Sequence, residues 1–393
     1  MPKPTVFKNR NRLSPRYIPK ILPHREKQLD FLISMFDDVV EDPSQVYLRP
    51  VQVVGGVGTG KTCTTLRFLE TLREKAEERD INLRHVYVNL KLQGSSRTIL
   101  YRYLLEKAAP EIRTSSLSAD EMLYQMVKYL DNTNQYLILV LDEIEYFMKN
   151  TREHIIYDLT RLNELSPEKA CRVVGLVVIS RGTDYYSLLE KSEMSTLGRT
   201  YVNFPQYGSE QIRDILYARQ EEAFKRGVVQ DEVIEFIANV TASSPVNGDI
   251  RYALDLLLYA GNLADNQGTD SVKLDQVRRV HGEIYHQITS EDIMDLPNYE
   301  KAVLLALARA LRSKRTAYVS FEDIQKECVS LSEDLGLRLE NVDQAVQDLG
   351  YRGLVDIKSL VQIGISDIPV EDLIRYLDNL MERVRSEIHE RKR

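Results

Sequence analysis

Residues 55–62 read Gly55, Gly56, Val57, Gly58, Thr59, Gly60, Lys61 and Thr62. Glycines at this spacing let successive backbone N–H groups turn inward on an anion, and a helix starting at Lys61 would add the positive end of its dipole. Lys61 can then neutralise β- and γ-phosphates, while the Thr62 hydroxyl is an oxygen ligand suited to magnesium. The segment therefore reads as a P-loop for a nucleoside triphosphate, with Gly56 to Cys63 as the residues lining it. A second constellation lies eighty positions on from Thr62, where the apolar run Leu137 to Leu141 ends in Asp142 and Glu143. Asp142 would join Thr62 in holding the metal, and Glu143 would orient the attacking water.

Both constellations need rigid elements behind them. Between residues 50 and 205 short apolar runs (PVQVVGG, RHVYVNL, YLILVLDE, VVGLVVIS) alternate with amphipathic stretches. Continuous β-branched runs suit strands buried on both faces of a parallel sheet, which requires helical crossovers, so this region is expected to be an α/β domain. The P-loop then follows the first strand. From Ser209 to about Gln287 apolar residues fall only at helical spacing, giving a small helical domain. From about residue 291 the expected order is three helices, two short strands (VDIK and VQIGI) and a closing helix from Val370, which fits a winged helix-turn-helix with Asn341 capping its third helix. The expected divisions are 1–207, 208–290 and 291–393.

Composition bounds the partners. The chain has 393 residues, 43% hydrophobic and 28% charged, with a net charge of −7. No apolar run approaches the length of a membrane span and no export signal is visible, so a cytoplasmic protein without a membrane partner is expected. An acidic chain is not coated with positive potential, and any nucleic-acid contact must be local. Residues 1–27 hold eight Lys or Arg against one Glu, whereas residues 291–393 hold 15 basic and 20 acidic residues. Cys63, Cys171 and Cys328 are too scattered for a disulfide framework or a zinc site, and are expected to be small buried apolar residues.

Further residues carry a resemblance. Tyr17, Ile18 and Pro19 with His24, Arg25 and Glu26, then the P-loop and Asp142–Glu143, then Gly248, Asp249, Ile250 and Arg251, stand in the order seen in an archaeal AAA+ replication initiator family related to origin recognition complex subunits and their helicase-loading partner. The chain resembles that family from about Leu13 through its third domain. The resemblance implies that the Tyr17–Arg25 segment covers the adenine and that Arg251 is a sensor-2 arginine reaching ATP or ADP from a helical lid. It also implies that residues 90–130 form an inserted helical element touching DNA, for which Arg97, Arg102, Arg113, Ser115 and Ser116 are candidates. Arg338, Asn341, Gln344, Gln347 and Arg352 are the candidates on and beside the recognition helix.

Two family features are absent. Ser180, Arg181 and Gly182 stand where a polar sensor-1 asparagine is usual, which makes Arg181 the substitute candidate at the catalytic centre. Ser192 occupies the expected arginine-finger position, with Lys191 and Arg199 nearby. Without a finger, hydrolysis should be slow and switch-like. The implied function is an ATP-dependent initiator that binds duplex origin DNA and helps recruit the replicative helicase, alone or beside paralogues. Two other readings stay open at this point: a signalling or defence ATPase with a protein-binding winged helix, and a regulatory paralogue acting as a DNA-binding module.

Overall fold

The protein is described by a computed structural model that covers residues 5–94, 96–151, 153–165, 172–285, 290–335, 339 and 341–391. The chain forms two compact units, one of Ile18–Tyr207 with Gly248–Ile250, the other of Met1–Tyr17, Gly208–Asn247 and Arg251–Arg393.

The first unit is built on strands β1 (Arg49–Gly55), β2 (Leu83–Asn89), β3 (Tyr136–Asp142), β4 (Val173–Ser180) and β5 (Tyr201–Phe204), ordered β2-β3-β4-β1-β5. All neighbouring pairs run parallel. The apolar run of β3 is explained by its two faces. Leu137, Leu139 and Leu141 enter one core with Leu100, Leu104, Met122 and Met126, while Ile138 and Val140 enter another with Phe68, Leu69 and Leu72 of the helix Lys61–Glu77. Burying each such side chain contributes about 1.5–3 kcal/mol, so neither face of β3 tolerates a polar residue before Asp142.

The residues 90–130 therefore have a structural task. The helices Arg97–Ala108 and Ala119–Thr133 cover one face of the sheet, the second opened by a reciprocal Ser118–Glu121 cap. Strand β5 was not legible as an apolar run because Tyr201 and Asn203 alternate outward at the sheet edge while Val202 and Phe204 face in.

In the second unit the helices Ser209–Ala223, Asp231–Ala242, Ile250–Gln267 and Leu274–Tyr285 form the lid. The N-terminal arm, grouped on sequence with the sheet domain, packs instead on these helices up to Tyr17. Phe7 stacks on Phe224 with centroids 4.6 Å apart, and the N–H groups of Lys8 and Asn9 both donate to the Ala223 carbonyl. Its apolar Val6 and Phe7, both buried, supply the reason.

The same unit contains the winged helix, with helices Asn298–Lys314, Phe321–Leu335 and Val342–Tyr351, strands β6 (Tyr318–Val319), β7 (Asp356–Ser359) and β8 (Gln362–Gly364), and a closing helix Val370–Arg391. The expected order holds, with the short β6 added as the edge of a sheet ordered β6-β8-β7. Lid and winged helix are bonded together: the buried Arg278 donates from Nε to the Ile365 carbonyl at 2.8 Å, and Asp275 accepts the Val370 N–H at 3.0 Å. Among the described residues no helix is long and apolar enough to cross a membrane, and no group of His, Cys, Asp and Glu has the arrangement of a metal cluster. Cys328 is buried and Cys63 half-buried, while Cys171 lies outside the described residues.

Candidate functional site

The P-loop joins β1 to the helix Lys61–Glu77, and Gly60 is its N-terminal cap residue. Gly58 and Gly60 adopt φ of 68° and 86°, a region closed to most side chains, which turns the loop back over the helix start. Space also demands glycine at position 58, where a Cβ would lie 1.8 Å from Asp249 Oδ1. The Ile250 N–H donates to the Gly58 carbonyl at 3.3 Å, so residues 248–250 brace the loop from outside. Thr59 closes it from within by donating its hydroxyl to the Gly56 carbonyl at 3.0 Å. Lys61 Nζ donates to the carbonyls of Gly55 and Gly56, each at 2.6 Å, which holds its charge over the loop where phosphate oxygens can take those places. Val57 is exposed at the loop tip.

Arg25 has a different place from the one expected of an adenine-covering residue. Its side chain is buried, with the residue only 2% exposed. The guanidinium donates to the carbonyls of Thr59, His24 and Pro205 at 2.9, 2.9 and 2.6 Å and lies 3.8 Å from the Tyr207 ring centroid. Burial pulls its pKa down and pushes the Tyr207 phenol up to about 12. Arg25 thus ties the P-loop to the chain leaving β5, acting through the loop. Replacing it with Met strands three carbonyls and is expected to cost about 3 kcal/mol of stability. A urea midpoint unchanged from wild type would show that Arg25 is no such anchor.

At the carboxylate end, parallel register places Asp142 beside Asn89 of β2 and Ile179 of β4. Asp142 Oδ2 accepts from the Thr62 hydroxyl and from the Tyr87 phenol, both at 2.8 Å, and Oδ1 accepts the Glu143 N–H at 2.9 Å. Burial, then the nearby Asp142 charge, raises the Tyr87 pKa, so Tyr87 stays a neutral donor that fixes the carboxylate. The adjoining Thr62 and Asp142 oxygens match the donor set a hard divalent cation requires. When bound, magnesium would neutralise developing phosphate charge there.

Glu143 takes φ 58° and ψ 46°, a left-handed conformation uncommon outside glycine, at the start of the helix Ile144–Asn150. Its Oε1 lies 3.3 Å from Arg181 NH2. Ser180 is buried and donates to the Gly182 carbonyl at 2.9 Å, so the polar side chain at the end of β4 is spent locally while Arg181 projects toward Glu143. Two participants went unnoticed in sequence: Tyr87 and Tyr207. Only three-dimensional register brings Tyr87 to Asp142.

The remaining expected residues are distributed as follows. Ile18 is half-buried and Pro19 buried in the sheet unit. Tyr17 belongs to the other unit, its ring beneath the guanidinium groups of Arg12 and Arg219 at 4.4 and 4.9 Å. Arg251 is exposed in the first turn of the helix Ile250–Gln267. Ser192 lies in the short helix Lys191–Leu197, with Lys191 and Arg199 exposed beside it.

Of the DNA candidates, Arg102, Arg113, Ser115 and Ser116 are exposed. Arg97 is a correction: its guanidinium is paired with Asp120 and with Asp158, the latter at 2.8 Å, so its charge binds the helices together. On the recognition helix Gln344 and Gln347 are exposed, Gln344 donating to Asp348 at 2.9 Å. Asn341 stands at the cap position with φ 60°, yet its side chain makes no capping bond. Arg352 lies 3.6 Å from the buried Glu300, which draws on the charge expected for DNA. Arg338 lies outside the described residues. Tyr351, 87% exposed at the helix end, had not been singled out.

Comparison with known proteins fits this geometry. Residues 49–182 match the family described as AAA domain, and residues 213–282 match the Cdc6 AAA+ ATPase-type lid domain. An ORC1-type DNA replication protein of Thermococcus kodakarensis is 34% identical over 308 residues, covering 77% of this chain and 72% of the relative. One from Sulfolobus acidocaldarius is 31% identical over 359 residues, covering 90% and 86%. Among solved structures, Cdc6p from Pyrobaculum aerophilum superposes with a TM-score of 0.81 at 26% identity, covering 96% of this chain and 99% of that one. The Aeropyrum pernix ORC1 protein in complex with DNA gives 0.62 at 28% identity, covering 95% and 98%. With a braced P-loop, an acidic pair at the tip of β3, a lid and a winged helix all in place, the chain belongs to the ORC1-type DNA replication proteins and is an AAA+ ATPase with a Cdc6-type lid.

Proposed function

We propose that this protein initiates DNA replication by binding duplex origin DNA in a nucleotide-dependent manner and helping to recruit the replicative helicase, with paralogues as further partners. The observation that carries the reading is the pairing, in one ORC1-type chain, of the Thr62–Asp142 constellation with a winged helix whose recognition helix leaves Gln344, Gln347 and Tyr351 exposed. ATP and ADP are the ligands, with magnesium on Thr62 and Asp142 and Arg251 as the lid's contact to the terminal phosphate. Tyr17, Ile18 and Pro19 are proposed to border the base. Hydrolysis is slow because Ser192 supplies no charge to a neighbouring subunit.

The two glutamines are suited to bidentate bonds with adenine edges in the major groove. The exposed Arg102, on the helix Arg97–Ala108, and Arg113, in the loop that follows it, offer phosphate contacts. Because the last hundred residues carry more acid than base, few phosphate contacts are expected from the winged helix, and a shallow salt dependence follows. Gln344→Ala with Gln347→Ala is expected to weaken binding to origin duplex about tenfold or more while leaving nonspecific binding nearly unchanged. Mobility-shift titrations on cognate and scrambled duplexes check this. Equal affinities for wild type and variant on both would end the major-groove reading. Footprinting with and without ATP tests nucleotide dependence.

A further inference from the structure

One buried charge just past the Asp142–Glu143 pair has no part in the chemistry described so far. Glu145 lies in the first turn of the helix Ile144–Asn150, its side chain only 17% exposed. Both of its carboxylate oxygens are buried, and among the described residues neither has a hydrogen-bond donor. Its charge is answered by Arg181 Nε at 3.5 Å. A carboxylate removed from water without hydrogen bonds is costly, so its presence needs a counterpart that gains from it. That counterpart is the direction in which Arg181 points. With Nε drawn to Glu145, the terminal nitrogens of the planar guanidinium are left to face Glu143, where NH2 stands 3.3 Å from Oε1. The Arg181 side chain is otherwise 54% exposed and can change partner without disturbing a core.

We infer that Glu145 anchors Arg181 as a cation that exchanges partners, pairing with Glu143 when the site holds a diphosphate and with the terminal phosphate when it holds a triphosphate. The inference rests on the reading of this site as one for ATP and ADP. A terminal phosphate carries more charge than a carboxylate and offers several acceptor oxygens, so it displaces Glu143 from the guanidinium. The exchange does two things at once. It places a positive charge supplied by the same chain on the phosphate, in a protein whose finger position is Ser192, and it releases Glu143 to orient water. After hydrolysis Arg181 returns to Glu143. Glu145 is thus a positioning residue that acts only through Arg181.

The test is equilibrium binding of ADP and of a non-hydrolysable ATP analogue, each with magnesium, to the full chain and its variants. Arg181→Ala is expected to lower analogue affinity about tenfold and to leave ADP affinity within about twofold, with Arg181→Lys recovering part of the loss. Glu145→Gln should lower the analogue-to-ADP ratio in the same direction. Glu143→Gln frees Arg181 in advance, so analogue affinity should rise several-fold, and this gain should vanish in Glu143→Gln/Arg181→Ala. An unchanged ratio in Arg181→Ala, or an equal effect of Glu143→Gln with and without Arg181, overturns the exchange. So does parallel loss of both ligands, which marks Arg181 as a structural prop. Failure of the wild-type chain to bind ADP would instead overturn the nucleotide site itself.

Discussion

Replacing Lys61 by alanine is expected to lower ATP affinity about 100-fold or more, the loss of two charge-assisted bonds to phosphate oxygens. The side chain is held over the loop by the carbonyls of Gly55 and Gly56, and no other lysine or arginine lies within the P-loop itself. Backbone amides and the helix start bind an anion, but they leave the β- and γ-phosphates largely uncompensated. Folding should survive, because water can replace Nζ at the two carbonyls. Titration of wild type and variant with ATP, beside a thermal melt of each, separates the two effects. An unchanged dissociation constant would mean that the loop is not the nucleotide site.

Glu143→Gln is expected to cut hydrolysis about 100-fold or more while ATP stays bound at least as tightly. The amide keeps the size of the side chain and its helix-start position but cannot accept a proton from water. Asp142, fixed by Thr62, Tyr87 and the Glu143 N–H, is untouched, so metal and phosphate contacts persist. Single-turnover measurement with prebound ATP reads the chemical step alone. A rate equal to wild type would remove Glu143 from the mechanism and shift attention to a water held by other groups.

What the sequence made legible follows from which interactions are local. The P-loop could be read because every requirement is written within eight residues: glycines for positive φ, a lysine, a hydroxyl and a helix start. Strands β1, β3 and β4 stood out as apolar runs because both faces are largely buried, whereas β2 showed itself through its buried Val86 and Val88. Strand β5 did not, since half of it faces outward, and the two residues of β6 are too few to show a period. Arg25 shows the limit most clearly. Its place in a recognisable motif suggested contact with the ligand, but its partners, Thr59 and Pro205, are distant in sequence and turn it inward. The same holds for Arg97, an exposed cation on paper that proves to be paired with Asp120 and Asp158. Tyr87 and Glu145 carry no sequence signal, because a tyrosine near a strand end and a glutamate in a helix are ordinary until register brings them to Asp142 and Arg181.

The strand order has a consequence for how the protein is made. Strand β1 is written early, yet its neighbours are β4 and β5, with Val53 beside Ile179 and Val202. A chain emerging from the ribosome therefore has nothing to pair with β1 until Ser180 has been synthesised; its second neighbour is complete only at Phe204, and the Gly58 brace waits longer still, for Ile250. Long-range parallel pairing is slow to close and leaves apolar strands uncovered meanwhile. Strands β2 and β3, joined across the helices Arg97–Ala108 and Ala119–Thr133, can meet first and shelter one face of β3. The phosphate-binding loop is thus among the first parts of the site to be translated and among the last to take its shape.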